Sequence, residues 1–226
     1  MIVKSAAAFL FDMDGTLIDS TRAMRRIWGR WALRHGLDFA ALFPTVHGRR
    51  AIDTVRSLAL PGVDPEAEAA IIDREETEDV EGVVAIAGAA EFLNALPPER
   101  WTVVTSAPRA LARARLGAAG LPVPETILTA EEVKVGKPAP DCFILGARRL
   151  GYEPADCIVF EDSAAGIEAA IAAGADLVVI ASAQSHAPLE GRFAVSDFDE
   201  LELTVAGDRL RLERRAPARE AAIARS

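Results

Sequence analysis

The sequence predicts an α/β protein in which a parallel sheet is covered by helices on both faces. Short apolar runs of strand length recur along most of the chain, and segments with helical spacing separate them. Strands that alternate with helices in this way form parallel sheets with right-handed crossovers. Residues 20–82, which follow the first apolar run, carry helical spacing alone. We therefore predict an α/β core with a small all-helical insertion after its first strand.

The core elements follow from local patterns. Residues 6–11 are uniformly apolar, which is typical of a strand that is buried on both faces. Near the C-terminus, residues 208–214 alternate like a strand that follows a hairpin turn at Gly207. Further strands are predicted at 101–105, 126–129, 157–160 and 177–180, helices at 89–96, 109–116, 141–150 and 164–173, and an edge strand with its neighbours at 193–195 and 201–205.

The helical insertion divides into three patterns. Ser20 and Thr21 can cap a first helix that stops near Gly36, a second pattern follows Gly48, and an acidic third one begins at Asp64 and runs to about Glu81. An insertion at this place would lie as a cap over the carboxyl end of the first strand. The predicted domains are a core of residues 1–19 and 83–206, a cap of residues 20–82, and a C-terminal strand with a partly disordered tail at 207–226.

Composition narrows the function classes. The chain has 226 residues and 50% hydrophobic content, which fits one domain with an insertion. Its net charge of −9 argues against nucleic acid or an anionic membrane surface as the partner. No apolar stretch has the length of a membrane span, and Asp12 interrupts the N-terminal run too early for a signal segment. We expect a cytoplasmic monomer or weak homodimer, in which Cys142 and Cys157 are free buried thiols.

Two carboxylates, Asp12 and Asp14, directly follow the first strand. Ligands of open parallel sheets bind beyond the carboxyl ends of the strands, so both side chains are expected in that crevice. Like charges this close repel unless a cation or a proton offsets them, and Mg²⁺ accepts carboxylate and carbonyl oxygens of this kind. A solvated turn rich in Asp and Gly is the alternative interpretation of these residues alone.

Other polar residues are expected at the same edge of the sheet. Thr105 and Ser106 end a predicted strand, Glu161 and Asp162 end another, and Lys137 lies in a loop between a glycine and a proline that restrict its backbone. Each of these has a simple structural explanation when taken singly. Their convergence on one sheet edge predicts a functional site.

Taken in chain order, four groups of residues resemble the motifs of the haloacid dehalogenase-like hydrolase superfamily. The groups are Asp12-Met13-Asp14-Gly15-Thr16, Thr105-Ser106, Lys137-Pro138 and Glu161-Asp162. Residues 46–50, 96–106 and 160–167 are most similar to its glycerol-phosphate and 2-deoxyglucose-phosphate phosphatases. Ala87 departs from the proline that relatives commonly carry there, which concerns the cap connection more than the chemistry. The resemblance implies a Rossmann-like core with a small helical cap.

The resemblance also implies a mechanism. Asp12 would attack phosphorus to form an aspartyl-phosphate, and Asp14 would protonate the leaving group and later activate water. Lys137 and Thr105 would complete the catalytic set, with Thr16 and Ser106 binding the phosphoryl group. Mg²⁺ would be held by Asp12, Asp14 through its carbonyl, and Asp162, with Glu161 nearby or ligating.

Three basic residues of the cap, His47, Arg49 and Arg50, follow a predicted turn and open a helix. They are placed to reach a phosphate ester or sugar hydroxyls, although such residues can also face water, and His47 can cap or pack. The predicted function is a Mg²⁺-dependent phosphatase of a small phosphorylated sugar or polyol. A sugar phosphomutase is the alternative, and a non-catalytic binding protein of the same fold is a third. Asp14 favours phosphoryl chemistry over dehalogenation, because halide leaves without a proton.

Overall fold

The computed structural model describes residues 3–181 and 191–215, and its elements alternate as the sequence predicts. The strands are β1 (Val3–Ala6), β2 (Ala8–Phe11), β3 (Ile18–Asp19), β4 (Val84–Ala85), β5 (Trp101–Val103), β6 (Cys157–Glu161), β7 (Asp176–Ile180), β8 (Ala194–Val195), β9 (Leu201–Ala206) and β10 (Arg209–Arg214). The helices are α1 (Thr21–Arg34), α2 (Phe39–Val46), α3 (Ala51–Leu58), α4 (Pro65–Glu78), α5 (Ala89–Asn94), α6 (Arg109–Ala118), α7 (Asp141–Arg149) and α8 (Ala164–Ala173).

A five-stranded parallel sheet forms the centre of the core, with strand order β5-β2-β6-β7-β8. Strand β2 is fully buried because it lies between two partners and carries apolar side chains on both faces. Phe11 stacks on Phe160 at a ring-centroid distance of 4.5 Å on one face, while Leu10 packs with Phe143 on the other. The predicted fold class is confirmed, and both cysteines are free and buried as expected.

The predicted strand at 126–129 is wrong. Within the described residues this stretch makes a single bridge between Leu128 and Val104. Two prolines, Pro122 and Pro124, remove donors just before it, and Thr129 then starts a 3₁₀ turn with reciprocal capping bonds to Glu132. The backbone therefore leaves the sheet direction on both sides of Leu128.

The N-terminal run is also divided differently from the prediction. The amide of Ala7 donates to the Asp156 carbonyl at 2.7 Å, and the chain separates there into β1 and β2. Strand β1 pairs with β10, which pairs with β9, in a separate antiparallel sheet. The predicted hairpin at Gly207 is present, and Gly207 has a φ of 58°. The tail predicted for residues 216–226 lies outside the described residues.

Helices α1 to α4 form the inserted cap, and their own apolar cluster includes Trp28, Trp31 and Ile72. Helix α2 divides the first predicted pattern from the second and was not predicted; Asp38 caps it by accepting from two backbone amides. The short antiparallel pair β3 and β4 lies where the chain enters and leaves the cap. The exact division between core and cap residues stays a prediction.

The predicted capping role of Ser20 is not observed. Its hydroxyl accepts from no backbone amide of α1 and instead donates to Asp14, with a further contact to Met24 Sδ at 3.4 Å. Asp19 accepts from the Thr21 amide at 2.9 Å in its place. In the described part of the chain, no helix combines the length and apolar character needed to span a bilayer.

Candidate active site

A buried lysine joins two acidic strand ends at the carboxyl edge of the sheet. Lys137 Nζ lies 2.5 Å from Asp12 Oδ1 and 2.7 Å from Glu161 Oε1. Asp12 follows β2 and Glu161 ends β6, so adjacent parallel strands bring the two carboxylates together. Burial alone would lower the pKa of Lys137, but the charges of Asp12 and Glu161 hold it above its usual range. The ammonium group is therefore a fixed positive charge in this cluster.

One carboxylate oxygen from each of Asp12, Glu161 and Asp162 lies within 4.8 Å of the other two. Burial raises the pKa of Asp12 well above its usual range, and the charge of Glu161 adds to the rise. Burial also raises the pKa of Asp162, although His47 opposes this. Lys137 and His47 together do not balance three buried carboxylates, and hard oxygen donors of this kind suit Mg²⁺. The residues present thus fit a divalent cation.

Glycines allow the two acidic loops to approach. Gly15 has a φ of 90°, and a Cβ there would overlap Asp162 Oδ2. A Cβ on Gly166 would overlap Glu161 Oε1 in the same way. Glu161 also accepts through Oε2 from the amides of Asp162 and Ser163, both at 2.8 Å. Glu161 is thus anchored by its own loop and by Lys137, while Asp12 and Asp162 face each other across the site.

Asp14 lies beside this cluster and is held by two donors. Ser20 Oγ donates to Asp14 Oδ1 at 2.5 Å, and Arg115 Nη1 donates to the same oxygen at 2.9 Å. Arg115 extends from α6 and also forms an ion pair with Glu76 of α4, with 3.0 Å between Nη2 and Oε1. Burial raises the pKa of Glu76, and Arg115 opposes that rise.

The predicted hydroxyl residues take three different positions. Thr16 Oγ1 donates to Asp162 Oδ1 at 3.3 Å and is fully buried. Thr105 Oγ1 accepts from the Ala107 amide at 3.0 Å, which orients the loop after β5. Ser106 Oγ donates to the Gly48 carbonyl at 3.0 Å. Ser106 therefore links the core to the cap.

The three basic cap residues separate. His47 Nε2 lies 2.7 Å from Asp162 Oδ2. Burial alone would lower the pKa of His47, but Asp162 and the other nearby carboxylates raise it to about 9. Arg49 lines a cavity above Asp12, and its buried Nε has no hydrogen-bond partner among the residues that the structure describes.

Arg50 lies away from that cavity. Its guanidinium bonds both carboxylate oxygens of Asp53, at 2.5 and 2.9 Å, and donates to the Val133 carbonyl at 2.9 Å. These contacts tie α3 to the loop that carries Lys137. A substrate role for Arg50 stays a prediction, and the contacts of its side chain are those of a link between the cap and the lysine loop.

The cavity lies between the cap and the carboxyl edge of the sheet. Its core side includes Asp12, Asp14, Thr105, Ser106 and Arg115, and its cap side includes Trp28, Gly48, Arg49, Asp73 and Glu76. Cationic, acidic and hydroxyl groups thus surround one space directly above Asp12. A small molecule with an anionic end and polar substituents fits this chemistry.

Arg115 and Glu76 were missed by the sequence analysis. Each occupies a position on the buried face of its helix: Arg115 follows Leu111 by four residues, and Glu76 follows Ile72 by four. A charged residue at an apolar-face position is costly unless it is paired. That departure from the helical pattern was the available signal, but it does not identify the partner.

Comparisons with known proteins agree with this geometry. A family model described as haloacid dehalogenase-like hydrolase matches residues 6–174. Hexitol phosphatase A of Escherichia coli is 42% identical over 76% of this chain and 82% of its own. Glycerol-1-phosphate phosphohydrolase 2 of Saccharomyces cerevisiae is 34% identical over 77% of this chain and 74% of its own. The solved β-phosphoglucomutase of Clostridium difficile has a TM-score of 0.72 at 19% identity, covering 87% of this chain and 93% of its own, which is a similarity of fold.

Proposed function

The chain belongs to the haloacid dehalogenase-like hydrolase family and is a phosphomonoester hydrolase, and from this premise we propose a Mg²⁺-dependent phosphatase of a small phosphorylated sugar or polyol. The resemblance that the four sequence motifs predict is thereby confirmed. The observation that supports the proposal most is the buried cluster of Asp12, Lys137 and Asp162 beneath the cavity. It offers a nucleophile, a fixed cation and a metal ligand within one small volume.

In the proposed reaction, Asp12 attacks phosphorus in line with the ester oxygen. A bond forms between an Asp12 carboxylate oxygen and phosphorus, the bond from phosphorus to the ester oxygen breaks, and Asp14 gives a proton to the departing alkoxide. Water then attacks the aspartyl-phosphate while Asp14 takes its proton. Inorganic phosphate leaves, and both carboxyl groups return to their initial states.

The other core residues serve this reaction by position and charge. Lys137 neutralises Asp12 and binds a phosphoryl oxygen, so that an anionic nucleophile can approach an anionic substrate. Thr16, Thr105 and Ser106, with neighbouring backbone amides, bind the remaining phosphoryl oxygens. Asp12, Asp162 and the Asp14 carbonyl would hold Mg²⁺, with Glu161 behind them. When bound, Mg²⁺ offsets the charge that develops on the phosphoryl oxygens.

The cap supplies substrate contacts in this proposal. Arg49 faces the cavity with a buried donor available, and it also lines a neighbouring cavity with His47 and Asp162. Arg offers a planar donor pair suited to a phosphate or to neighbouring hydroxyls. The activities for which the two phosphatases above are named support a phosphorylated polyol or sugar as the substrate class.

A screen of phosphorylated sugars and polyols, with Mg²⁺ or with EDTA, tests the proposal. Phosphate release that requires Mg²⁺ is the expected result. An isomeric sugar phosphate without phosphate release would indicate a phosphomutase, and neither product would indicate a binding protein.

Substitution of the nucleophile completes the test. Asp12→Asn should abolish turnover while the circular dichroism spectrum stays that of the folded protein. Asp156→Asn, which is exposed before β6, is the matched control and should keep full activity. Turnover retained by Asp12→Asn would refute the assignment of the nucleophile.

A further inference from the structure

Arg115 connects an acidic residue of the core to an acidic residue of the cap. Its side chain is 2% exposed, with Nη1 2.9 Å from Asp14 Oδ1 and Nη2 3.0 Å from Glu76 Oε1. Helices α4 and α6, which carry Glu76 and Arg115, pack directly against each other. An arginine in the interior requires such partners, because an unpaired buried charge is strongly unfavourable. The pairing therefore accounts for its burial, and it also fixes the guanidinium beside Asp14.

The contacts to Asp14 are confined to one of its oxygens. Ser20 Oγ and Arg115 Nη1 both donate to Oδ1, at 2.5 and 2.9 Å. Over the described ranges, 3–181 and 191–215, Oδ2 has no hydrogen-bond partner. Two donors at Oδ1 disfavour a proton on that oxygen, so a proton on this carboxyl group is carried by Oδ2. Asp14 also lines the cavity, so the arrangement holds a proton-transferring group in fixed orientation at the wall of the space where a substrate would bind.

We propose that Arg115 is a positioning residue that fixes the Asp14 carboxyl group for proton transfer, and that its contact with Glu76 makes this positioning depend on the position of the cap helices over the core. The inference rests on the proposed phosphatase function. Glu76 Oε1 lies 3.0 Å from Nη2 of the same planar guanidinium whose Nη1 donates to Asp14, so a shift of α4 changes the direction in which Arg115 holds Asp14. The acidic neighbours Asp14, Glu76 and Asp73 all face this one guanidinium.

The chemistry of the leaving group distinguishes a positioning role of Arg115 from a purely structural one. An alkyl alkoxide needs a proton as it departs, whereas p-nitrophenolate is a stable anion that departs without one. For a reaction through a covalent intermediate, kcat/KM reports the steps up to formation of that intermediate. It therefore includes the donation of the proton by Asp14 but not the later activation of water.

The experiment measures kcat/KM of Arg115→Gln on an alkyl phosphate substrate and on p-nitrophenyl phosphate. With the alkyl phosphate we expect a fall of about 10²-fold or more, which is the usual contribution of a general acid, and with p-nitrophenyl phosphate a fall of less than about tenfold. Arg113→Gln, exposed on the same helix, is the matched control and should change neither value. Glu76→Gln should show the same selectivity to a smaller extent.

Equal losses on the two substrates would overturn the inference, because a general distortion of the site does not distinguish leaving groups. If Arg115→Gln does not fold, Arg115→Lys serves instead, since it keeps the charge but cannot contact both carboxylates as a fork. It is expected to lose about tenfold in selectivity for the alkyl phosphate, and unchanged selectivity in this variant would overturn the inference. Failure of the unsubstituted enzyme to release phosphate from any substrate would overturn the proposed function itself, and this is seen before any variant is made.

Discussion

Replacement of Lys137 by methionine tests whether the central ion cluster is a stabilising unit or a functional arrangement that costs stability. Lys137, Asp12 and Glu161 are 3%, 4% and 0% exposed. Methionine has a similar length and fills the volume, so the substitution removes charge with little loss of packing. Two buried carboxylates then lie near each other without the ammonium group that contacts both of them.

The expected loss follows from that geometry. Removal of one partner from a buried ion pair costs about 3–5 kcal/mol, because the remaining charge is left buried without compensation. For a chain of this size, this corresponds to a decrease in Tm of about 6–20 °C. The substitution should also abolish phosphatase activity, since Asp12 loses its contact with the only ammonium group at that carboxylate in the described part of the chain.

The assay is urea unfolding followed by circular dichroism in EDTA, which keeps added metal from replacing the lost charge. Lys134→Met is the matched control, because Lys134 is exposed in the same loop and should change the free energy of unfolding by less than about 0.5 kcal/mol. A loss for Lys137→Met as small as that of the control would refute the reasoning. It would mean that the two neighbouring carboxylates tolerate burial without the positive charge of the lysine.

Two further predictions concern stability. Gly166→Ala places a methyl group within the contact radius of Glu161 Oε1 and should lower the free energy of unfolding, measured in urea titrations, by at least about 2 kcal/mol. The control Gly117→Ala lies in α6 with open space around it and should raise the free energy of unfolding by about 0.5–1 kcal/mol. Equal effects of the two substitutions would contradict the close approach of Gly166 to Glu161. Burial, with Glu76 and Glu131, raises the pKa of Asp73 to about 7, so the folded protein holds a proton that the unfolded chain loses near pH 4. Stability should therefore fall between pH 4 and 7 in the unsubstituted protein relative to Asp73→Asn, and parallel pH profiles of the two proteins in thermal unfolding would contradict this.

The sequence was sufficient for the parts of the site that depend on backbone topology. Asp12, Thr105 and Glu161 lie at or within two residues of the ends of parallel strands, and such strands present their carboxyl ends at one edge whatever their side chains are. The position of Lys137 could be predicted for a related reason, since its loop leads from that edge into α7. The helical spacing of apolar residues likewise identified most helices, because this spacing can be seen within each segment without knowledge of what the segment packs against.

What depended on particular side-chain partners was not predicted. Ser20 satisfies a local rule for helix capping, yet its hydroxyl bonds Asp14, which is nearby only because the loop after β2 folds back. Arg115 and Glu76 are 39 residues apart and meet only when the cap lies on the core. Arg50 is different, because its partner Asp53 is three residues away on the same helix turn, and that spacing alone could have suggested the pair.

The pair of short strands β3 and β4 has a consequence for how substrate reaches a buried nucleophile. The chain crosses between the two parts of the molecule at adjacent points, Asp19 beside Val84 and Ile18 beside Ala85. A rotation of the backbone at these crossings would swing all four inserted helices together and leave every hydrogen bond of the parallel sheet unbroken. Substrate entry would then depend on the contacts between the inserted helices and the core, whereas the stability of the core depends on the hydrogen bonds of the parallel sheet. Turnover therefore need not weaken the folded core.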